Sequence, residues 1–229
     1  MFKISDVAPD IAAKLEAYER EMAEHRAQCK AEFCEQCGRR PKADLVAMDR
    51  AFAELGKRRA FDTVPAAFHD VELSGEWLAK LVGSEAMHQA QTSIDARRAT
   101  FLGPPGAGKT SLAVAMFRRA IEVGKDAAWF RYVSSHALAK ARATSQLGDE
   151  APLVEACLRS PLLLVDELGG EDSRHASAVA EVIYERHAEN RRTWVTTGAT
   201  PKAIADRYGG GIARRVFEGA TIFRLGGKR

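Results

Sequence analysis

From Gly103 to Thr110 the chain reads GPPGAGKT, which sets glycines, a lysine and a hydroxyl at the spacing G-x-x-x-x-G-K-[ST]. Glycines at 103, 106 and 108 let a backbone curl tightly enough for several N–H groups to meet one anion, and a helix starting at once adds its positive end. A lysine in such a loop suits β- and γ-phosphate oxygens, and the Thr110 hydroxyl suits Mg²⁺. The nucleotide-binding segment is therefore read as Gly103, Pro104, Pro105, Gly106, Ala107, Gly108, Lys109, Thr110 and Ser111, with ATP and Mg²⁺ as the cofactors.

A second group follows in LLLVDE. The apolar run predicts a buried strand that carries Asp166 to the carboxyl edge of a sheet, where it can hold Mg²⁺ together with Thr110. Glu167 comes next, and a carboxylate beside a metal ligand is placed to orient and deprotonate a water. Lys109, Asp166 and Glu167 thus form the expected catalytic set of a hydrolase. On the next strand, TWVTTGAT, either Thr196 or Thr197 can supply a polar group near the γ-phosphate, or both can be ordinary β-branched strand residues.

The third group is His25-x3-Cys29-x4-Cys34-x2-Cys37-Gly38, one imidazole and three thiols. His25 and Cys29, four apart, share a helix face, and Cys34-x2-Cys37-Gly38 forms a tight knuckle able to fold back on them. Four such ligands make a closed tetrahedral Zn²⁺ site of structural type. Cys157, alone in LVEACLRS, reads as a small core residue.

These residues need elements to carry them. Pro9 starts a long helix whose seam runs through Ile11, Leu15, Tyr18, Met22, His25 and Cys29, and Leu45, Met48, Phe52 and Leu55 mark a second, shorter one. Residues 1–60 read as a helical hairpin with the cysteine knuckle at its bend, and GKRRAFDTVPAAF as a linker. Beyond it strands alternate with helices. Strands are expected at 99–102, 127–133, 162–168 and 193–199, and helices from Thr110 to Val123, over SSHALAKARA and LVEACLRS, and from Ser173 to Asn190. Two short helices then surround the glycines at 209–211, and TIFRL ends the series. That alternation predicts a parallel sheet covered on both faces.

Composition sets the frame. A chain of 229 residues, 46% hydrophobic and 28% charged, supports one main core and a small accessory module. No apolar run approaches the roughly 20 residues of a membrane span, and the start lacks a secretory apolar stretch, so a cytoplasmic protein is expected. The net charge is only +3, yet from Arg191 onward nine basic residues face two acidic ones. Such an end suits phosphate-bearing partners or a plain solvated surface.

The order of these pieces resembles the AAA+ ATPases of the DnaC-type helicase loaders and the IstB-type transposition helpers. The resemblance covers about residues 60 to 229 and rests on GPPGAGKT, LLLVDELGG, RRTWVTTGAT and GGGIARRVFEGATIFRLGG. It implies an α/β P-loop NTPase of the ASCE type, a parallel sheet flanked by helices over 61–229, beside the N-terminal zinc-binding module of 1–60. No C-terminal lid domain is expected, since fourteen residues follow Arg215. The resemblance further implies that Arg215, or its neighbour Arg214, completes the ATP site of an adjacent copy in a homo-oligomer formed with ATP and DNA. It also implies single-stranded DNA contacts between the second strand and the Mg²⁺-binding strand, here Lys140 and Arg142. One position departs from the pattern. The polar Asn usual after the fourth strand falls on Gly198, which lacks a side chain to act on water. The leading expectation is an ATP-dependent loader of the hexameric replicative helicase in DNA replication, gripping it through residues 1–60. The alternatives are an IstB-like transposition helper and a zinc-stabilised adaptor with a weakly hydrolysing ATP switch.

Overall fold

The computed structural model describes residues 9–30, 34, 42–124, 126–145 and 150–226, with the side chains of 9–16, 26 and 42–48 left aside. The chain divides into two compact units, Met1–Phe52 and Ala53–Arg229. The first contains α1 (Pro9–Gln28) and the start of α2 (Lys42–Phe61), which continues into the second. Met22 and His25 on α1 and Cys29 just after it are half-buried, while most of their described neighbours are exposed.

The expected linker is corrected in its first part. Gly56 to Phe61 extend α2, because the glycine permits a close approach: a Cβ there would lie 2.3 Å from the Ala128 Cβ. After Pro65 comes a 3-10 turn, Ala66–Phe68, and then two helices absent from the sequence reading, α3 (Glu76–Val82) and α4 (Ser84–Thr92). Gly83, at φ +89, makes the corner between them.

Five parallel strands follow: β1 (Arg98–Leu102), β2 (Arg131–Ser134), β3 (Leu162–Asp166), β4 (Arg192–Thr197) and β5 (Thr221–Arg224), in the order β2-β3-β4-β1-β5. β4 therefore lies between β1, which enters the glycine loop, and β3, which ends at Asp166. The expected strand at 127–133 begins only at Arg131. Its first residues form a 3-10 turn, Ala127–Trp129, where Trp129 N–H donates to the Asp126 carbonyl and Phe130 N–H to the Ala127 carbonyl.

Helices α5 (Lys109–Val123), α6 (Ser135–Ala143), α7 (Pro152–Arg159), α8 (Ala176–Ala188), α9 (Pro201–Tyr208) and α10 (Gly210–Phe217) cover the sheet. The helix expected from Ser173 begins three residues later, after a 3-10 turn at Ser173–His175 in which Asp172 accepts from the Arg174 N–H. No described helix is long and apolar enough to cross a membrane.

The strand pleat explains why LLLV is wholly apolar. Leu162 and Leu164 join a core with Trp194, Leu112, Met116 and Phe117, whereas Leu163 and Val165 join another with Val195, Leu138, Val154 and Cys157. Each face is buried, so alternation with polar residues would leave one core unfilled. Each such side chain contributes at most about 1.5–3 kcal/mol. Cys157 is fully buried as expected, and burial pushes its thiol up to about 11.

Candidate functional site

β1 ends at Leu102 and the chain turns through Gly103 into a loop that closes on α5. Gly106 and Gly108 sit at φ +76 and +82, a region closed to most side chains. At Gly108 the requirement is double, since a Cβ there would lie 2.8 Å from Val82 and 2.9 Å from Leu81 of α3. The first N–H groups of α5 lack intrahelical acceptors and face the loop, a ready anion site. Lys109 Nζ donates to the Pro104 carbonyl at 2.9 Å, so the ammonium is folded onto its own loop.

Asp166 is 5% exposed at the end of β3, and three hydroxyls meet its carboxylate. Thr110 Oγ1 donates to Oδ1 at 2.9 Å, Thr196 Oγ1 to the same oxygen at 2.5 Å, and Tyr132 Oη to Oδ2 at 2.7 Å. Burial and the Asp166 charge hold the Tyr132 phenol well above its usual range, so it stays a donor. Three donors on one buried anion satisfy it without a cation and fix its direction.

Glu167 is exposed and has φ +56, a conformation uncommon for a residue with a Cβ. Its N–H donates to Thr196 Oγ1 at 2.9 Å and its carbonyl accepts from Ser135 Oγ at 2.7 Å. Held at both ends, the residue turns its side chain into a cleft of about 840 Å³ also lined by Gly106, Lys109 and Thr110. Strained backbone of this kind persists where neighbours over-determine it, and it concentrates at functional sites.

The cleft differs from the sequence reading in two respects. Among the described residues, neither Thr196 nor Thr197 lines it; Gly198 and Ala199 do. Thr196 is turned to Asp166 and Thr197 donates to the Leu168 carbonyl at 2.8 Å, so both hydroxyls brace the β3 end. The second difference is an apolar wall from Phe68, Trp77 and Leu81, with Leu81 packed beside Gly108 and Trp77 60% exposed. The i, i+4 spacing of Trp77 and Leu81 after Ser74-Gly75 was the available signal. Tyr132 carried none, being one aromatic in a strand.

Past β3 the loop Leu168–Gly170 lines the same cleft and is tied to α9 through Glu171. The Glu171 side chain is fully buried; Gly169 N–H donates to Oε2 at 3.2 Å, Arg207 Nε to Oε1 at 3.1 Å, and Tyr208 Oη also to Oε1. Burial opposes its ionisation, but hydrogen bonds from Tyr208, a backbone N–H and Arg207 outweigh that and hold the carboxyl below its ordinary range.

Arg215 does not line the cleft. It is half-buried on α10, with Nη1 donating to the Gly211 carbonyl at 2.9 Å and the guanidinium 4.3 Å from the Tyr184 ring centre. Its Nε is buried and has no hydrogen-bond partner among the described residues. Arg214 is exposed. Lys140 is exposed on α6, while Arg142 is engaged by Glu150 and Glu181.

In the N-terminal unit, His25, Cys29 and Cys34 present ligand atoms all within 4.8 Å of one another, and His25 Nε2 lies 3.3 Å from Cys34 Sγ. The three are spaced closely enough to hold a metal ion together. Cys37 lies outside the described residues.

The model of the IstB-like ATP binding protein family matches residues 67–204 of this chain. No curated protein matches it. Among solved structures, the DnaC helicase loader is similar with a TM-score of 0.58 at 19% identity, over 71% of this chain and 100% of that one. DnaI is similar with a TM-score of 0.55 at 17% identity, over 72% and 93%. The replication initiator DnaA bound to AMPPCP and single-stranded DNA gives 0.52 at 18%, over 70% and 51%. Identities this low carry the fold alone.

Proposed function

As a member of the IstB-like ATP-binding protein family, the chain is a P-loop ATPase, and we propose that it uses ATP to load a hexameric replicative helicase onto single-stranded DNA. Gly103 to Ser111 would hold the triphosphate through backbone N–H groups. Lys109 would leave the Pro104 carbonyl for phosphate oxygens, and Thr110 with Asp166 would hold Mg²⁺. The bound cation supplies positive charge that offsets the charge developing on the phosphates. Glu167 accepts the proton of a water in the cleft, and the Phe68, Trp77 and Leu81 wall takes the base.

Arg215 is the arginine assigned to the nucleotide of an adjacent copy, since it stays clear of its own cleft; Arg214 is the alternative. Lys140 would contact DNA phosphates, joined by Arg142 when a phosphate replaces Glu150 and Glu181. Residues 1–60, organised by Zn²⁺ on His25, Cys29, Cys34 and Cys37, would grip the helicase, and 61–229 would form the ATPase domain. The observation that carries the reading is that the nucleotide cleft and the His/Cys cluster belong to separate compact units, which leaves one free to hold a partner.

The test immobilises the full chain and adds purified replicative helicase with ATP or ADP, with and without single-stranded DNA. Retention that depends on ATP and on residues 1–60 is expected. Equal retention in every nucleotide state, or none, removes the loader reading. A transposition helper is the second reading, favoured by the matched family's description. It predicts capture of a transposase and coating of duplex DNA. An adaptor with slow turnover is a third, favoured by Gly198 in the cleft wall. It predicts that single-stranded DNA leaves the hydrolysis rate unchanged.

A further inference from the structure

Asp166 receives its hydroxyl donors unequally. Thr110 and Thr196 both donate to Oδ1, and Tyr132 donates to Oδ2. Two donors on one oxygen make a pivot about which the carboxylate can still swing, and a donor on the other oxygen stops that motion. Tyr132 is well fixed for the task. It is 7% exposed on β2, paired in register with Leu164, two residues before Asp166 on β3. Its N–H donates to Thr63 Oγ1 at 2.9 Å, and that hydroxyl donates in turn to the Ala60 carbonyl at 2.7 Å, so the strand is pinned to the segment after α2.

We propose that Tyr132 is a positioning residue for Mg²⁺: its hydroxyl locks the Asp166 carboxylate so that Oδ1 stays at the Thr110 hydroxyl where the cation is to be held. The inference rests on the reading of Asp166 as a Mg²⁺ ligand. Groups that orient a metal ligand in this way commonly govern metal affinity by about 10- to 100-fold. Tyr132 touches neither nucleotide nor water in this account and acts through Asp166 alone. Its loss therefore alters cation dependence and spares the contacts made by the glycine loop.

The experiment titrates Mg²⁺ into the full chain holding a fluorescent, non-hydrolysable ATP analogue and reads binding rather than turnover. In Tyr132→Phe the half-saturating Mg²⁺ concentration is expected to rise on the order of tenfold. Analogue binding in EDTA should stay as in the parent protein, while the melting temperature falls by roughly 3 to 10 °C for the lost hydrogen bond to the buried carboxylate. Combined with Asp166→Asn, which alone raises the Mg²⁺ requirement, Tyr132→Phe should add nothing further. An unshifted midpoint in Tyr132→Phe beside a shifted one in Asp166→Asn overturns the positioning role and leaves the Mg²⁺ reading standing. An equal loss of binding with and without Mg²⁺ shows a packing role only and also overturns it. An unshifted Asp166→Asn removes the Mg²⁺ reading and this inference with it.

Discussion

Thr110 and Asp166 stand 56 positions apart in the chain and are joined by a 2.9 Å hydrogen bond from the threonine hydroxyl to the carboxylate. The bond ties the start of α5 to the end of β3, although β4 separates the strands that lead to them. Thr196, at the end of that intervening strand, donates to the same oxygen. The two halves of the nucleotide site are therefore held together by the protein itself, before any ligand arrives.

With the frame preformed, Lys109 and Glu167 should be separable. Lys109→Ala removes the phosphate-binding ammonium and should abolish ATP binding. Glu167→Gln retains binding and lowers turnover by at least about a hundredfold, because only proton transfer is lost. Equilibrium binding and a phosphate-release assay check both; a Glu167→Gln protein that hydrolyses ATP at the parent rate removes Glu167 as the base.

Trp77 gives the cleft an optical reporter. The chain has three tryptophans; Trp194 is fully buried, while Trp129, 73% exposed, is absent from the cleft lining. ATP should quench fluorescence in the parent protein and leave Trp77→Phe much less affected. Trp77→Ala should weaken binding roughly two- to tenfold, the worth of about 0.5–1.5 kcal/mol for an aromatic pair.

Arg215 allows a mixing test. Arg215→Ala should bind ATP nearly normally and lose hydrolysis by about 10³, the usual order for an arginine acting across an interface. Mixed with Lys109→Ala, it should regain turnover where an intact arginine faces an intact loop. Since Arg215 also stacks on Tyr184, Tyr184→Ala serves as the packing control and should keep its activity. Parent-level activity in Arg215→Ala alone, with no effect of mixing, would transfer the role to Arg214.

Elemental analysis of protein purified under reducing conditions should find one zinc per chain, and Cys34→Ser or Cys37→Ser should lower the content. Chelation should melt the N-terminal unit and spare the nucleotide-binding one, because a small helical hairpin has too little apolar surface to hold alone. Metal-free protein with an intact N-terminal unit would contradict the zinc reading.

The Glu171 clamp should respond to acid. Its folded carboxyl lies below the ordinary value, so its contribution is complete above about pH 4.3, the value for an unfolded glutamate, and is lost as pH falls through the folded one. At neutral pH, Glu171→Gln should melt roughly 3 to 10 °C lower, the equivalent of one charged hydrogen bond in a unit of this size. The gap should close as the pH drops below ~4. A gap that widens in acid would reverse the sign of the shift.

Spacing alone made the glycine loop, the Asp166-Glu167 pair and the alternating strands legible, because each rests on local rules: glycine where φ is positive and an apolar run where both faces are covered. The His25, Cys29 and Cys34 grouping was legible for the same reason, two of its ligands being one helical turn apart. Convergence of distant residues was not. Nothing in RYVSS marks Tyr132 as a partner of Asp166, and TWVTT does not say which threonine turns inward; strand order and register decide both, through long-range pairing that short-range periodicity does not encode. α3 and α4 leave little trace in the sequence because seven and nine residues give few repeats of a helical period. With them went the Trp77 wall, which exists only because Gly108 lets α3 pack directly against the loop.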